Sequence, residues 1–146
     1  MTSLTDCVAD FQARTEQLPA ARRFTDAELE ALYAVAFASY RQGRYGRAAS
    51  QFGHLALYRP TSARFLKGQG ASQFMAMQYA QSAATYAFLI LLRADDADAL
   101  CLYGHSLLML GDKDGARRPL RQAATLAGAP GEFRRRARAL LELIAE

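Results

Sequence analysis

Apolar residues recur along this chain at intervals of three and four, which is the spacing of one face of an α-helix. Near the N-terminus the pattern runs from Thr5 to Leu18, and Pro19 ends that helix. The segment Thr25-Asp26-Ala27-Glu28 has the form of a capping box, which predicts that a second helix begins there. The pattern predicts an all-α fold.

The same arrangement of residues returns every 34 positions, in three adjoining windows over 29–62, 63–96 and 97–130. Small residues at positions 8 and 20 let two helices approach closely, and an aromatic residue or leucine at position 24 fills the space beside them. Glycine at position 15 ends the first helix of a repeat, and proline at position 32 ends the second. The residues that carry this pattern include Gly43, Ala48, Phe52, Pro60, Gly70, Ser82, Tyr86, Gly104, Gly111, Ala116 and Leu120.

This period is typical of a tetratricopeptide-repeat superhelix, here with three helix-turn-helix repeats between an N-terminal helix and a C-terminal capping helix. We expect an N-terminal helical segment over 1–28, three repeats over 29–129 and the capping helix over 130–146. The capping helix has an apolar face, and arginines cover its other side. Four residues depart from the repeat. Met77 replaces a helix-ending glycine, Ala94 replaces the proline, Lys113 replaces an aromatic residue, and Pro119 predicts a delayed helix start or a kink.

In this architecture the first helix of each repeat lines a concave groove. The register assigns Leu32, Val35, Ala36 and Ser39 to the core of the first repeat, so its aromatic residues are left to face the groove. An ordinary core role for those aromatic residues is the alternative at helical spacing. The predicted groove residues are Tyr33, Phe37, Tyr40, Arg41, Arg64, Lys67, Ala71, Phe74, Met75, Asp98, Cys101, His105, Leu108 and Met109.

The charge of +4 is unevenly distributed. Residues 31–94 contain no Asp or Glu and carry +7, and a second basic cluster lies at Arg134–Arg136 and Arg138. Such clusters can serve nucleic acid or an acidic partner, although most are solvated faces. The longest apolar run, Ala87–Leu92, is far shorter than the roughly 20 residues of a membrane-spanning helix, so we expect no direct membrane insertion. The two cysteines suit a reducing cytoplasm.

Catalysis has little support in the sequence. The two histidines, His54 and His105, have no Cys, Asp or Glu partners at metal-ligand spacing. The segment Gly68-Gln69-Gly70 lies within a predicted helix and does not form a phosphate-binding loop. We therefore expect no enzyme activity, no metal and no cofactor.

Several short blocks make the chain resemble the class II chaperones of bacterial type III secretion, the LcrH/SycD type. These blocks are Leu32-Tyr33-Ala34, Ala36-Phe37, Arg64-Phe65, Gly70-Ala71, Gln78-Tyr79 and Leu110-Gly111-Asp112. The resemblance implies a cytoplasmic bacterial chaperone that holds an extended segment of hydrophobic translocator proteins in its groove, without ATP, until export. It also implies a homodimer formed through N-terminal helices.

The chain departs from that family at Phe74 and His105, where Gln and Glu are usual, and at Lys67 and Gln69, where Leu is usual. The groove is therefore more basic here, and we expect the client to carry acidic residues beside its apolar anchors. Two alternatives stay open. One is a generic repeat adaptor for folded proteins, and the weaker one is a basic nucleic-acid-binding protein, for which no recognition motif is present.

Overall fold

A computed structural model describes residues 2–126 and 128–146 of the chain. Over these residues the protein forms eight α-helices, one short 3-10 helix and no strand, which confirms the all-α prediction. The α-helices are α1 (Leu4–Glu16), α2 (Asp26–Arg41), α3 (Tyr45–Tyr58), α4 (Ala63–Met75), α5 (Tyr79–Leu92), α6 (Ala97–Met109), α7 (Lys113–Thr125) and α8 (Gly131–Ala145), and the 3-10 helix spans Pro19–Arg22.

From α3 onwards, every second helix begins 34 residues after the one before it. Helices α3, α5 and α7 begin at Tyr45, Tyr79 and Lys113, and helices α4, α6 and α8 begin at Ala63, Ala97 and Gly131. Helix α8, which follows the third predicted repeat, therefore starts where the first helix of a further repeat would start.

The chain divides into two compact units, unit 1 (Met1–Ser72) and unit 2 (Gln73–Glu146), and the boundary falls within α4. Each unit has its own hydrophobic core. The core of unit 1 contains the buried side chains of Leu29, Ala36, Ala48, Phe52, Leu55 and Phe65. The core of unit 2 contains those of Leu100, Cys101, Ala116, Leu120, Ala123, Ala124, Ala137, Leu140 and Ile144.

Burial follows the repeat positions that the sequence marked as core. Ala48, Ser82 and Ala116 at position 20 are fully buried, as are Phe52, Tyr86 and Leu120 at position 24. The same side-chain sizes therefore occupy equivalent places in the second helix of every repeat.

Two glycines allow helices to approach more closely than any side chain would permit. A Cβ atom on Gly104 would lie 2.6 Å from Cγ of Leu120, and one on Gly68 would lie 2.5 Å from the ring of Phe52. Since real Cβ contacts are essentially never that short, these glycines set the separation of α6 from α7 and of α4 from α3.

The helix ends use the local chemistry that the sequence predicted. Thr25 and Glu28 form the capping box of α2: the backbone N–H of each residue donates to the side chain of the other. After α2 and α6, Gly43 and Gly111 have φ angles of +74° and +85°. Met77 holds the equivalent place after α4 with a φ of +60°, a conformation that costs a residue with a Cβ atom about 1–2 kcal/mol.

Arg59 fixes the chain that enters α2. Its guanidinium donates to the backbone carbonyl oxygens of Ala21 and Phe24 and forms a salt bridge of 3.1 Å with Asp26. The end of α3 is thereby tied to the segment that connects the 3-10 helix to α2.

The core assignment in α2 was right for two residues and wrong for two. Ala36 and Ser39 are buried as predicted, whereas Leu32 and Val35 are 44% and 54% exposed, and Leu29 is also buried. Of the delayed start and the kink expected at Pro119, the delayed start does not occur, because α7 begins at Lys113 and continues through Pro119. The kink stays a prediction. Pro119 is buried, and the apolar contact of its ring offsets part of the cost of the missing backbone hydrogen bond.

Replacement of Gly104 by Ala should lower the free energy of unfolding by about 1–3 kcal/mol, because the added methyl group overlaps the fully buried Leu120. The matched control is Gly46→Ala in α3, where an added Cβ meets nothing within 4 Å. That change should raise stability by about 0.5–1 kcal/mol. Urea denaturation followed by circular dichroism compares the two, and equal effects would contradict the packing argument.

Replacement of Met77 by Gly should stabilise the protein by roughly 1 kcal/mol, because glycine adopts a positive φ without steric cost. The side chain lost is 74% exposed, so little apolar burial is given up. Thermal unfolding measures the change. Gly111→Ala is the reverse control and should lower the melting temperature, and a destabilised Met77→Gly variant would show that the side chain is held by contacts instead.

Candidate functional site

An aromatic groove lies within unit 1. It is a cavity of about 270 Å³ lined by Tyr33, Phe37, Tyr40, Phe52, Arg64, Lys67, Gly68 and Ala71, from helices α2, α3 and α4. Six of these side chains, all except Phe52 and Gly68, were among the predicted groove residues. The structure brings those six together, and their role in binding stays a prediction.

The aromatic side chains of the groove belong partly to the core of unit 1. The Tyr33 ring lies 5.5 Å from the Phe52 ring and 6.2 Å from the Phe37 ring, measured between centroids. Tyr33 and Tyr40 are half-buried against the core, whereas Phe37 is 45% exposed. Tyr33 and Tyr40 therefore pack against the core and also line the groove, and Phe37 presents the more accessible apolar surface.

The arginine of the aromatic groove is held by contacts within the protein. Cζ of Arg64 lies 4.0 Å from the centroid of the Tyr33 ring, and the guanidinium forms a salt bridge with Glu30. The hydrogen bond that Arg64 donates to Glu30 raises the pKa of Arg64 above its ordinary value. Together with the contacts of Arg59, this pairing uses part of the charge of the acid-free segment and weakens the case for a nucleic-acid surface.

The remaining predicted groove residues lie outside the aromatic groove. Arg41 is exposed at the end of α2, Met75 is 43% exposed at the end of α4, and Leu108 is half-buried against the core of unit 2. The prediction for Cys101 was wrong, because its side chain is fully buried in that core. Burial raises the pKa of its thiol to about 11, so the sulfur stays protonated.

Unit 2 contains a second group of interacting side chains, the Arg136 cluster, formed by Phe74, Tyr79, His105 and Arg136. The Phe74 ring lies 4.7 Å from the His105 ring and 5.3 Å from the Tyr79 ring, and the Arg136 guanidinium carbon lies 5.6 Å from the Phe74 centroid. The Arg136 guanidinium also reaches Nδ1 of His105, at 3.2 Å from Nε and 2.7 Å from Nη2.

These contacts determine the protonation state and the tautomer of His105. Burial, and then the positive charge of Arg136, lower the pKa of His105 from 6.5 to about 4, so the ring is neutral at pH 7. Because Nδ1 accepts from Arg136, the neutral ring carries its hydrogen on Nε2. His105 is therefore a hydrogen-bond donor through that nitrogen.

The position of Arg136 was not predicted from the sequence. The arginines of α8 were expected to cover the polar side of that helix, yet Arg136 is half-buried against two predicted groove residues. The signal was the period itself: α8 begins 34 residues after α6 and so belongs to the series of first helices. Because the first helix of each repeat is expected to line the groove, the same register continued beyond residue 130 predicts that residues of α8 face it as well.

The two misassigned residues of α2 lie in another apolar cavity of unit 1, of about 290 Å³. Leu32 and Val35 line it together with Phe24, Gln51, His54, Leu55 and Tyr58.

Within the described ranges 2–126 and 128–146, no three His, Cys, Asp or Glu side chains are grouped so that they could hold a metal ion. No helix in that part of the chain has both the length and the apolar character needed to cross a membrane.

No protein-family model and no curated protein matches this sequence. Several solved structures do match this chain. PcrH from Pseudomonas aeruginosa has 28% sequence identity, with 84% of this chain and 96% of PcrH covered and a TM-score of 0.78. A chain of a type III secretion complex from Aeromonas hydrophila has 25% identity, with 95% of both chains covered and a TM-score of 0.82. The Yersinia enterocolitica chaperone SycD, in complex with a peptide of the translocator YopD, has 26% identity, 84% and 96% coverage and a TM-score of 0.76.

The chain has the fold of the type III secretion translocator chaperones. This similarity extends over most of its length and confirms both the tetratricopeptide-repeat fold and the resemblance that the sequence motifs indicated. Within this translocator-chaperone fold, predicted groove residues lie together in the aromatic groove and in the Arg136 cluster.

The low pKa of His105 predicts a specific dependence of stability on pH. Between pH 6.5 and about 4 the unfolded chain binds a proton at His105 that the folded chain does not bind. The stability that neutral His105 contributes is therefore present above pH 6.5 and is lost as the pH falls through 4. Across this range the wild-type protein should lose roughly 1 kcal/mol more stability than His105→Gln. Urea denaturation at several pH values tests this, and parallel curves would contradict a buried neutral histidine.

Proposed function

We propose that this chain is a bacterial cytoplasmic chaperone of type III secretion. It binds an extended, apolar segment of hydrophobic translocator proteins and keeps them soluble before export. Membrane-active translocators expose large apolar surfaces in water, so they require a partner that covers those surfaces until secretion. Covering them needs burial of apolar area, at about 25 cal/mol per Å², and no chemical reaction.

The observation that carries this proposal is the similarity to chaperones solved together with segments of translocators. PcrH has been crystallised with the chaperone binding regions of PopD and PopB, and SycD with a peptide of YopD. Their identities to this chain are 28%, 29% and 26%, over 82–84% of its length.

The aromatic groove supports the proposal from within the chain. At about 270 Å³ it falls just below the range of about 300–1,000 Å³ of small-molecule sites, and it suits individual anchoring side chains of a peptide. Aromatic rings supply rigid contact area at low entropic cost. We propose Tyr33, Phe37 and Tyr40 as the apolar contacts, with Arg64, Lys67 and Ala71 beside them.

The other predicted groove residues belong to the same proposal. Phe74, Met75, His105 and Leu108 would extend the contact with the client, since Met adapts to apolar side chains of different shapes. Arg41 would contact the client through its exposed charge.

A homodimer is part of the proposed function. SycD has been crystallised as a dimer, in an arrangement described as alternative. In this chain the N-terminal segment 1–28 exposes Leu4, Phe11 and Leu18, at 66%, 43% and 51%. Apolar surface of this kind, next to a helix rich in polar residues, is suited to cover by a second copy.

Affinity purification of the full chain from its native cell, followed by mass spectrometry, identifies the client. A co-purified protein with apolar membrane segments, stabilised against precipitation by the chain, is the expected result. Capture of only folded enzymes would contradict the chaperone function and favour a repeat adaptor. Binding of duplex DNA or RNA with a steep salt dependence would contradict it as well.

Replacement of Phe37 by Ala should weaken binding of the client segment by about 1 kcal/mol or more, because Phe37 is the most exposed aromatic ring of the groove. Its exposure also means that stability should change little. Leu57→Ala is the matched control in unit 1, since Leu57 is 68% exposed and does not line the groove. Isothermal titration measures both affinities, and equal affinity of the two variants would remove the groove from the binding site.

A further inference from the structure

Arg136 occupies an unusual position for an arginine of an outer helix. Its side chain is half-buried, it lies over the face of Phe74, and one edge of the guanidinium, Nε and Nη2, is held by Nδ1 of His105. The aromatic face and the ring nitrogen together restrict the guanidinium to one orientation. An arginine held in this way is preorganised for a partner that binds its remaining donors.

The polar partner of this guanidinium is neutral. Burial and the charge of Arg136 itself keep His105 unprotonated, so the ring supplies a dipole but no negative charge. Among residues 2–126 and 128–146, no carboxylate oxygen lies within 4.0 Å of the Arg136 guanidinium. The arginines Arg14, Arg59, Arg64 and Arg117, in contrast, each pair with an Asp or Glu.

A partly buried cation without a counter-ion is unfavourable, and a carboxylate is the group that matches an arginine best. We propose that Arg136, oriented by His105 and Phe74, is a recognition site for an Asp or Glu side chain of the bound client segment. The guanidinium keeps Nη1 and a second hydrogen of Nη2 for this carboxylate, and His105 keeps its Nε2–H as an additional donor. The proposal rests on the chaperone function and adds a chemical requirement on the client.

The preference for an acidic client is thereby assigned to Arg136, and not to the basic residues of the aromatic groove. The sequence predicted the basic character of the groove from Lys67, and Arg64 lines the same groove. Arg64 already has Glu30 as its counter-ion, so a client carboxylate there would have to compete with an existing salt bridge. At Arg136 the client carboxylate would be the first carboxylate within salt-bridge distance of the guanidinium.

The test uses synthetic apolar peptides, each made in a Glu version and a matched Gln version, with binding to the full chain measured by fluorescence anisotropy. The wild-type protein should bind the Glu version of its best peptides about tenfold more tightly. Arg136→Gln should abolish the preference while still binding the Gln version. Arg138→Gln, an exposed change on the same helix, should leave the preference intact.

Arg136→Lys covers the case in which Arg136→Gln does not fold, because lysine keeps the charge and the apolar stem but loses the planar pair of donors. It should reduce the Glu preference severalfold. Equal binding of Glu and Gln peptides by the wild-type protein, or a preference that survives in the Arg136 variants, would overturn the carboxylate site alone. Binding of neither version would contradict the chaperone function, and the site with it.

Discussion

Both candidate sites depend on a glycine at a point where two helices pack closely, because any side chain there would overlap the neighbouring helix. In unit 1, Gly68 leaves room for the ring of Phe52, and these two residues also line the aromatic groove. In unit 2, Gly104 leaves room for Leu120, and the next residue in the chain is His105 of the Arg136 cluster. Because packed interiors do not yield by several tenths of an ångström without cost, a larger residue at either crossing would displace the side chains that line the site.

This constraint explains why so much of the fold was predictable. Close packing requires small residues at fixed places, and the 34-residue period marks those places directly in the sequence. The buried series Ala48, Ser82 and Ala116 was therefore found without any structural information. Turn chemistry was predictable for a different reason, since the left-handed conformation after α2 and α6 favours glycine. At Met77 the fold requires that conformation of a residue that disfavours it.

The orientation of α2 was less predictable, because periodicity identifies a helical face but not what covers it. Leu32 and Val35 fit a core position by size and spacing, yet they are exposed and line a separate cavity. Tyr33 contacts Phe52 and Phe65 of the core and also lines the aromatic groove, so a division of residues into core and surface does not describe it. Large aromatic side chains can satisfy both roles since one edge can be buried while a face stays accessible.

Charge was the least predictable feature, because a count of basic residues does not show which of them already have a counter-ion. Glu30 lies one residue before the acid-free segment, and it pairs with Arg64 inside that segment. Arg136 lies in a region that contains acids, yet its partner is a neutral histidine.

The difference between these two arginines bears on how a chaperone distinguishes its clients. Apolar anchors are interchangeable, since any leucine, valine or methionine gains similar free energy in an apolar groove, and such contacts alone would accept many segments. A single carboxylate that meets a partly buried arginine sets the register of the segment, because the same carboxylate placed elsewhere in an apolar groove would lose its solvation without compensation. Affinity would therefore come mainly from the aromatic groove, and selectivity from Arg136.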